Sequence, residues 1–269
     1  MKFLTTFASA AALAATFAVS AAPAHAAVFA QFTPDSNVRN FRWINSGSAN
    51  SGTGGHFISM ATAAPTTAEN VKTHFTFLDP NLSLLAFIPA LLKVDASVAN
   101  GHIAAVNGAG VWTQTNLDGN FSFTYTGATI ANFNHSGITL VHNSNLLSGV
   151  FTDAWIQGAG GSGSFNVTNV NGGHVTYTSA YETFSHLAPG TEEFAFNLLS
   201  ATPAFGANLT TGPGPHVPKA ALKSFRANGG GNFSFAPTPE PATWGLMIVG
   251  FGGMGLMLRQ SRRLVRVKA

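Results

Sequence analysis

Cysteine is absent from the 269 residues. Its absence excludes disulfide staples, thiolate metal sites, a cysteine nucleophile and a lipid-bearing cysteine. Charge is scarce as well. Asp, Glu, Lys and Arg make up 9 % of the chain, against about 25 % in an ordinary globular protein. Motifs of catalysis are also missing. There is no Gly-x-Ser-x-Gly elbow, no His-Glu-x-x-His and no His-x-His, so neither a nucleophile elbow nor a zincin helix is marked. Residues 158–163 carry a glycine cluster after a strand pattern, but another strand pattern follows. The helix N-terminus that cradles phosphate is therefore not supplied. What the chain does have is apolar mass: 45 % hydrophobic residues, with Phe at 23 and Gly at 29. That is enough to build a core.

The two ends read as addresses. Residues 1–26 have Lys2, an apolar stretch over 3–19, a break at 20–23 and a small-residue Ala-His-Ala ending. This is the layout of a secretory signal peptide, and it predicts a mature chain starting near Ala27. The far end is tripartite. Pro239-Glu240-Pro241 is stiff and extended, because proline fixes φ and disfavours helix in the residue before it. Residues 242–258 follow without a charge, roughly 25 Å as a helix at ~1.5 Å per residue. That is the short end of what spans a bilayer. Trp244 stands where an interfacial anchor would. Arg259, Arg262, Arg263, Arg266 and Lys268 then place five positive charges in the last eleven residues. By the positive-inside rule that end is cytoplasmic and the rest of the chain is outside.

This order resembles the PEP-CTERM tail, and more narrowly its PEPxxWA variant of Gram-negative bacteria, with Gly245 where the variant carries Ala. The resemblance covers about residues 237–266. It implies processing by exosortase at or near Pro239–Pro241, after signal peptidase has removed the leader. It also implies passage across the inner membrane with a transient single-pass anchor, then the cell surface or an extracellular matrix of exopolysaccharide and biofilm. The domain plan is then a leader over 1–26, a secreted domain over 27–236 and a sorting tail over 237–269.

Between the ends lie seven Lys and Arg against nine Asp and Glu, a net charge of −2. The basic pI of about 9.5 therefore belongs to the tail and gives no support for nucleic-acid binding. Period-two alternation runs through this part, as in Phe121-Ser-Phe123-Thr-Tyr125, 74–77, 175–178 and 194–198. Such alternation marks half-buried strands. Leu117-Asp118-Gly119-Asn120 reads as the turn of a hairpin joining 111–115 to 121–126, and 171–173 as a second, joining 164–170 to 174–180. Further strands are expected at 38–44, 57–61, 91–98, 137–141, 147–156, 194–201, 222–227 and 232–235. Residues 82–92 are interrupted by Pro89 and read as an apolar loop feeding the next strand. Many short strands between Gly, Asn and Ser turns predict an all-β, antiparallel, sandwich or jelly-roll-like domain.

No cofactor and no metal site is marked. The mature histidines are dispersed, with 135 and 142 the one pair a turn could bring together. Asn116–Asn120 is the best calcium loop on composition, beside its reading as a plain turn. Threonines at 113 and 115, 124 and 126, 176 and 178 put hydroxyls on one side of a sheet. Aromatics at Trp43, Trp112, Trp155, Tyr125 and Tyr181 are candidate stacking platforms, and Trp112 and Trp155 are the candidate glycan contacts. Two functions stay open. One is a matrix or adhesion protein with weak polysaccharide contacts. The other is a secreted polysaccharide hydrolase or lyase on a jelly-roll, which needs two carboxylates converging in a groove.

Overall fold

Residues 27–35, 39–45, 55–79, 82, 85–98, 104–169, 172–184, 190–210 and 219–235 are described by the computed structural model. The expected leader, and the whole tail with Pro239, Glu240, Pro241, Trp244, Arg259, Arg262, Arg263 and Arg266, lie outside the described residues. Among the described residues no helix is long and apolar enough to cross a membrane. A 3-10 turn, Phe133–His135, is among them.

Alternation dictates strands. In chain order they are β1 Ala27–Pro34, β2 Phe41–Asn45, β3 Gly55–Ser59, β4 Val71–Phe77, β5 Ile88–Val98, β6 Ala105–Val106 and β7 Trp112–Tyr125. Then come β8 Asn145–Ala159, β9 Ser162–Val167, β10 His174–Thr178, β11 Glu193–Thr202, β12 Ala207–Thr210, β13 Lys219–Leu222, β14 Phe225–Asn228 and β15 Gly231–Phe235. In β4 and β5 every second residue is buried without a break. This is what a pleated strand with one face on a core produces.

All the pairings are antiparallel, and they close. Following hydrogen-bonded neighbours, β4 leads to β5, β7, β8, β9, β11, β15, β1 and back to β4. The two faces expected of a sandwich are thus joined at both sides into a barrel-like ring, which leaves those eight strands without a free edge. β5 and β11 are long enough to serve a second arc. β3 pairs with β5 at His56–Ile58, β2 with β3, and β14 with both β2 and β11. One contiguous apolar core fills the interior, and Ala26–Ala236 forms one unit. Among the described residues sixteen phenylalanines are buried, which accounts for the Phe-rich composition. Phe233 of β15 is the hub, with ring centroids 5.1 Å from Phe121, 5.6 Å from Phe123 and 5.8 Å from Phe196.

Several sequence expectations change. Residues 117–120 are no turn, because β7 runs through them. Leu117 is fully buried, and a Cβ on Gly119 would sit 2.2 Å from the Asp95 carbonyl oxygen of β5. Leu-Asp-Gly-Asn is therefore a bulged strand, with Asn116 at φ 61° where the register to β8 shifts. A bulge adds twist and lets a strand bend without ending. β9 and β10 do not pair with each other as the second hairpin requires. Both edges of β9 are taken by β8 and β11, so β10 moves on to pair with Ser148–Thr152 of β8. Residues 137–141 form a single bridge, Ile130 with Leu140, and 222–227 divides between β13 and β14. β1, which no sequence pattern singled out, follows directly after the expected leader and pairs Ala27 with Phe235.

Candidate functional site

The outer face over β7 and β8 has a groove of about 430 Å³. It lies where both strands are irregular. Asn116 takes φ 61° on β7 and Asp153 φ 54° on β8. Away from that point the register sets Thr113 opposite Gln157. Thr113, Thr115, Asn116, Asp153, Trp155 and Gln157 line the groove. β9 extends the surface, with Asn166 opposite Trp155 and Ser164 opposite Gln157.

Chemically this is one half-buried indole among hydroxyls and carboxamides. The single charged lining group is Asp153. Its backbone N–H donates to Asp118 Oδ1 at 3.0 Å, and Asn116 Nδ2 approaches its own carboxylate at 3.5 Å. A flat aromatic face presents apolar area, while amides and hydroxyls supply donors and acceptors in fixed places. Together they can stack a flat apolar surface and hydrogen-bond polar groups around it.

The other candidate platforms lie elsewhere. Trp112 belongs to the opposite face of β7 and packs on the core. Trp43 is buried and donates its indole N–H to the Leu222 carbonyl at 3.0 Å. Tyr125 is buried, with its hydroxyl on the Ala128 carbonyl at 2.8 Å. Burial raises its pKa, with a smaller contribution from Tyr181. Tyr181 packs against the core and donates no platform, its hydroxyl accepting the Val141 N–H at 3.0 Å. Thus one of the named aromatics, Trp155, opens onto the groove.

No group of three or more His, Asp or Glu that could hold a metal occurs among the described residues. His142 bonds the Gly127 carbonyl through Nδ1 at 2.8 Å, and His74 stacks on Phe87 at 3.9 Å with Asp35 3.6 Å away. Asn116–Asn120 is strand, so the loop that calcium would need is not formed there. Glu193 is spent on structure: its carbonyl accepts the Tyr177 hydroxyl, and its carboxylate accepts the Asn169 N–H at 3.3 Å.

The comparison with protein families decides the tail. Residues 237–263 match the model for the PEP-CTERM protein-sorting motif. The tail is a PEP-CTERM sorting motif. The match takes in Pro239, Glu240, Pro241, Trp244, Arg259, Arg262 and Arg263, and stops short of Arg266. A PEP-CTERM motif implies processing by exosortase and export to the cell surface. No curated protein and no solved structure matches the chain.

Proposed function

We propose that this is an exported matrix or adhesion protein, delivered by exosortase and holding weak contacts to extracellular polysaccharide through the groove around Trp155. The PEP-CTERM motif at 237–263 carries the reading. In the plan it supports, residues 1–26 are removed by signal peptidase. Residues 242–258 then hold the chain in the inner membrane of a Gram-negative cell, with Arg259 to Lys268 inside, until cleavage near Pro239–Pro241 releases residues 27 onward. The groove suits a neutral glycan. It offers a stacking surface and polar groups but no cation, and Asp153 repels a polyanion.

The test is a tagged chain in cells with and without exosortase. With the enzyme a shortened product reaches the surface. Without it the tail stays attached and the product stays with the membrane. A tail retained in both strains overturns the reading.

A second reading, a polysaccharide hydrolase or lyase, draws on the Asp153 carboxylate beside Trp155, with the Asp118 carboxylate accepting the Asp153 backbone N–H. Release of reducing ends that disappears in Asp153→Asn would favour it. Binding without turnover favours the first.

A further inference from the structure

All three arginines of the secreted part, Arg39, Arg42 and Arg226, gather on one outer face. β2 and β14 are far apart in the chain, and their pairing sets Arg42 directly opposite Arg226. Like charges facing each other across a strand pair destabilise it. Nothing among the described residues relieves this pair. Arg39 donates to Thr202 Oγ1 at 3.0 Å and Arg42 to the Pro65 carbonyl, both neutral acceptors. The His74–Asp35 ion pair lies elsewhere, at β4 and the end of β1. Glu69 is the acid of the adjoining loop, and its carboxylate is filled by the N–H groups of Ala61 and Thr62 and the Thr62 hydroxyl.

Two cavities of about 350 and 550 Å³ open on this face, and both are lined by Arg39 and Arg226. Thr202 and Ser224 border the first, and Asn228 the second. The Asn228 side-chain oxygen is buried with no hydrogen-bond partner. An amide so placed can turn its NH₂ toward an incoming acceptor.

We propose that this face is an oxyanion-binding site, taking the carboxylates of an acidic polysaccharide. Guanidinium forks fit carboxylate or phosphate oxygens two at a time. An anion seated between Arg42 and Arg226 converts their repulsion into two attractions. Two adjoining cavities with shared arginines suit successive units of a polymer better than one small ion. The polysaccharide as source rests on the export reading above; the oxyanion chemistry does not.

The full chain, exported from a Gram-negative host and purified in detergent, is run in native gels containing polygalacturonate, dextran or no polymer. A parallel arm titrates inorganic phosphate by calorimetry. Polygalacturonate retards the protein and dextran does so far less. Retardation weakens on raising salt from about 0.05 to about 0.5 M, as screening requires. Arg42→Gln and Arg226→Gln each weaken it about tenfold, the usual loss of a charge-assisted pair. Arg226→Lys, which keeps the charge and loses the fork, falls between. Lys93→Gln binds as the unaltered protein does. Without ligand, Arg226→Gln melts no lower than the parent, because it removes a like-charge pair. Heat from phosphate with no retention on polygalacturonate keeps the oxyanion site and overturns the polymer. Absence of both responses, retention untouched by the arginine changes, or a melting temperature lowered in every arginine variant overturns the proposal. Faulty cellular sorting leaves all these measurements unchanged, so the two readings fail separately.

Discussion

The inside and the outside of the same strands use opposite chemistry. On β7, Phe121, Phe123 and Tyr125 point inward to a continuous aromatic core, while Ser122, Thr124, Thr113 and Thr115 lie between them or on the outer side. The interior is repetitive and mostly apolar, with Asn40, Ser59, Thr73, Asp79 and Gln114 the buried polar side chains among the described residues. The outer surface is differentiated: an indole with one carboxylate over β7 and β8, and three arginines over β2 and β14. Stability and recognition should therefore be separable. Changes inside should unfold the protein without regard to ligand, and changes outside should alter ligands with little effect on stability.

The largest effect expected is at the hub. Phe233→Ala removes the ring that meets Phe121, Phe123 and Phe196. β15 is held by β1 on one side and β11 on the other, so collapse around the hole is restricted. The cost should be about 3–5 kcal/mol, read by denaturant unfolding. A loss below about 1 kcal/mol would show that the core is loosely packed and the contrast false.

Next is Tyr177, a phenol in that same interior. Burial pushes its pKa well above the ordinary value of 10.0, and Glu192 and Glu193 add to the rise. A raised pKa in the folded state means that stability is intact below pH 10.0 and is lost as pH climbs toward the folded value. The slope reaches at most about 1.4 kcal/mol per pH unit for one group. Tyr177→Phe gives up the hydroxyl's bond to the Glu193 carbonyl, so it starts less stable. Its stability should then fall less between pH 9 and pH 11. Parallel alkaline curves for the two proteins would remove Tyr177 from the account.

On the outer side, Trp155→Ala should weaken retention on a neutral matrix polysaccharide about tenfold, ~1.4 kcal/mol. The melting temperature should shift by no more than about 2–4 °C, the equivalent of 1 kcal/mol in a domain of this size. Trp112→Ala should do the reverse, because that indole packs against the core. Equal effects of the two on binding would break the distinction between the faces.

How much of this was readable beforehand follows from range. Alternation is local, so Phe121, Phe123 and Tyr125 announced their strand. The PEP-CTERM motif is a linear signal and is legible from residues 237–263 alone. Leu117-Asp118-Gly119-Asn120 has the composition of a turn. What makes it strand is the backbone of β5 lying against Gly119, a neighbour more than twenty residues away in sequence. Strand parity already separated Thr113 and Thr115 from Trp112, yet it could not say which side opens outward. The closure of the ring depends on Ala27 meeting Phe235, and the arginine face depends on Arg42 meeting Arg226. No local pattern encodes pairings across such separations, and they are also the slow, costly contacts of folding.

The smallest effect expected lies in the loop that borders the arginine face. Glu69 is half-exposed, and its pKa is lowered, first by the Thr62 hydroxyl and then by the N–H groups of Thr62 and Ala61. A depressed carboxylate stabilises above its ordinary value of 4.5 and loses that contribution as pH falls through the folded value. What it stabilises is local. The two N–H groups it holds belong to residues lining the second cavity beside Arg39 and Arg226. Amide exchange, corrected for its intrinsic pH dependence, should show protection of Ala61 and Thr62 near pH 6 that fades toward pH 3. Glu69→Gln should show weak protection at both, with an unchanged global melting temperature. Solvent around the carboxylate screens the interaction, which is why only local exchange, and not global unfolding, should register it. If Glu69→Gln instead lowers the melting temperature as much as a core change does, the loop is part of the interior's cooperative unit, and the separation between inside and outside fails at this edge.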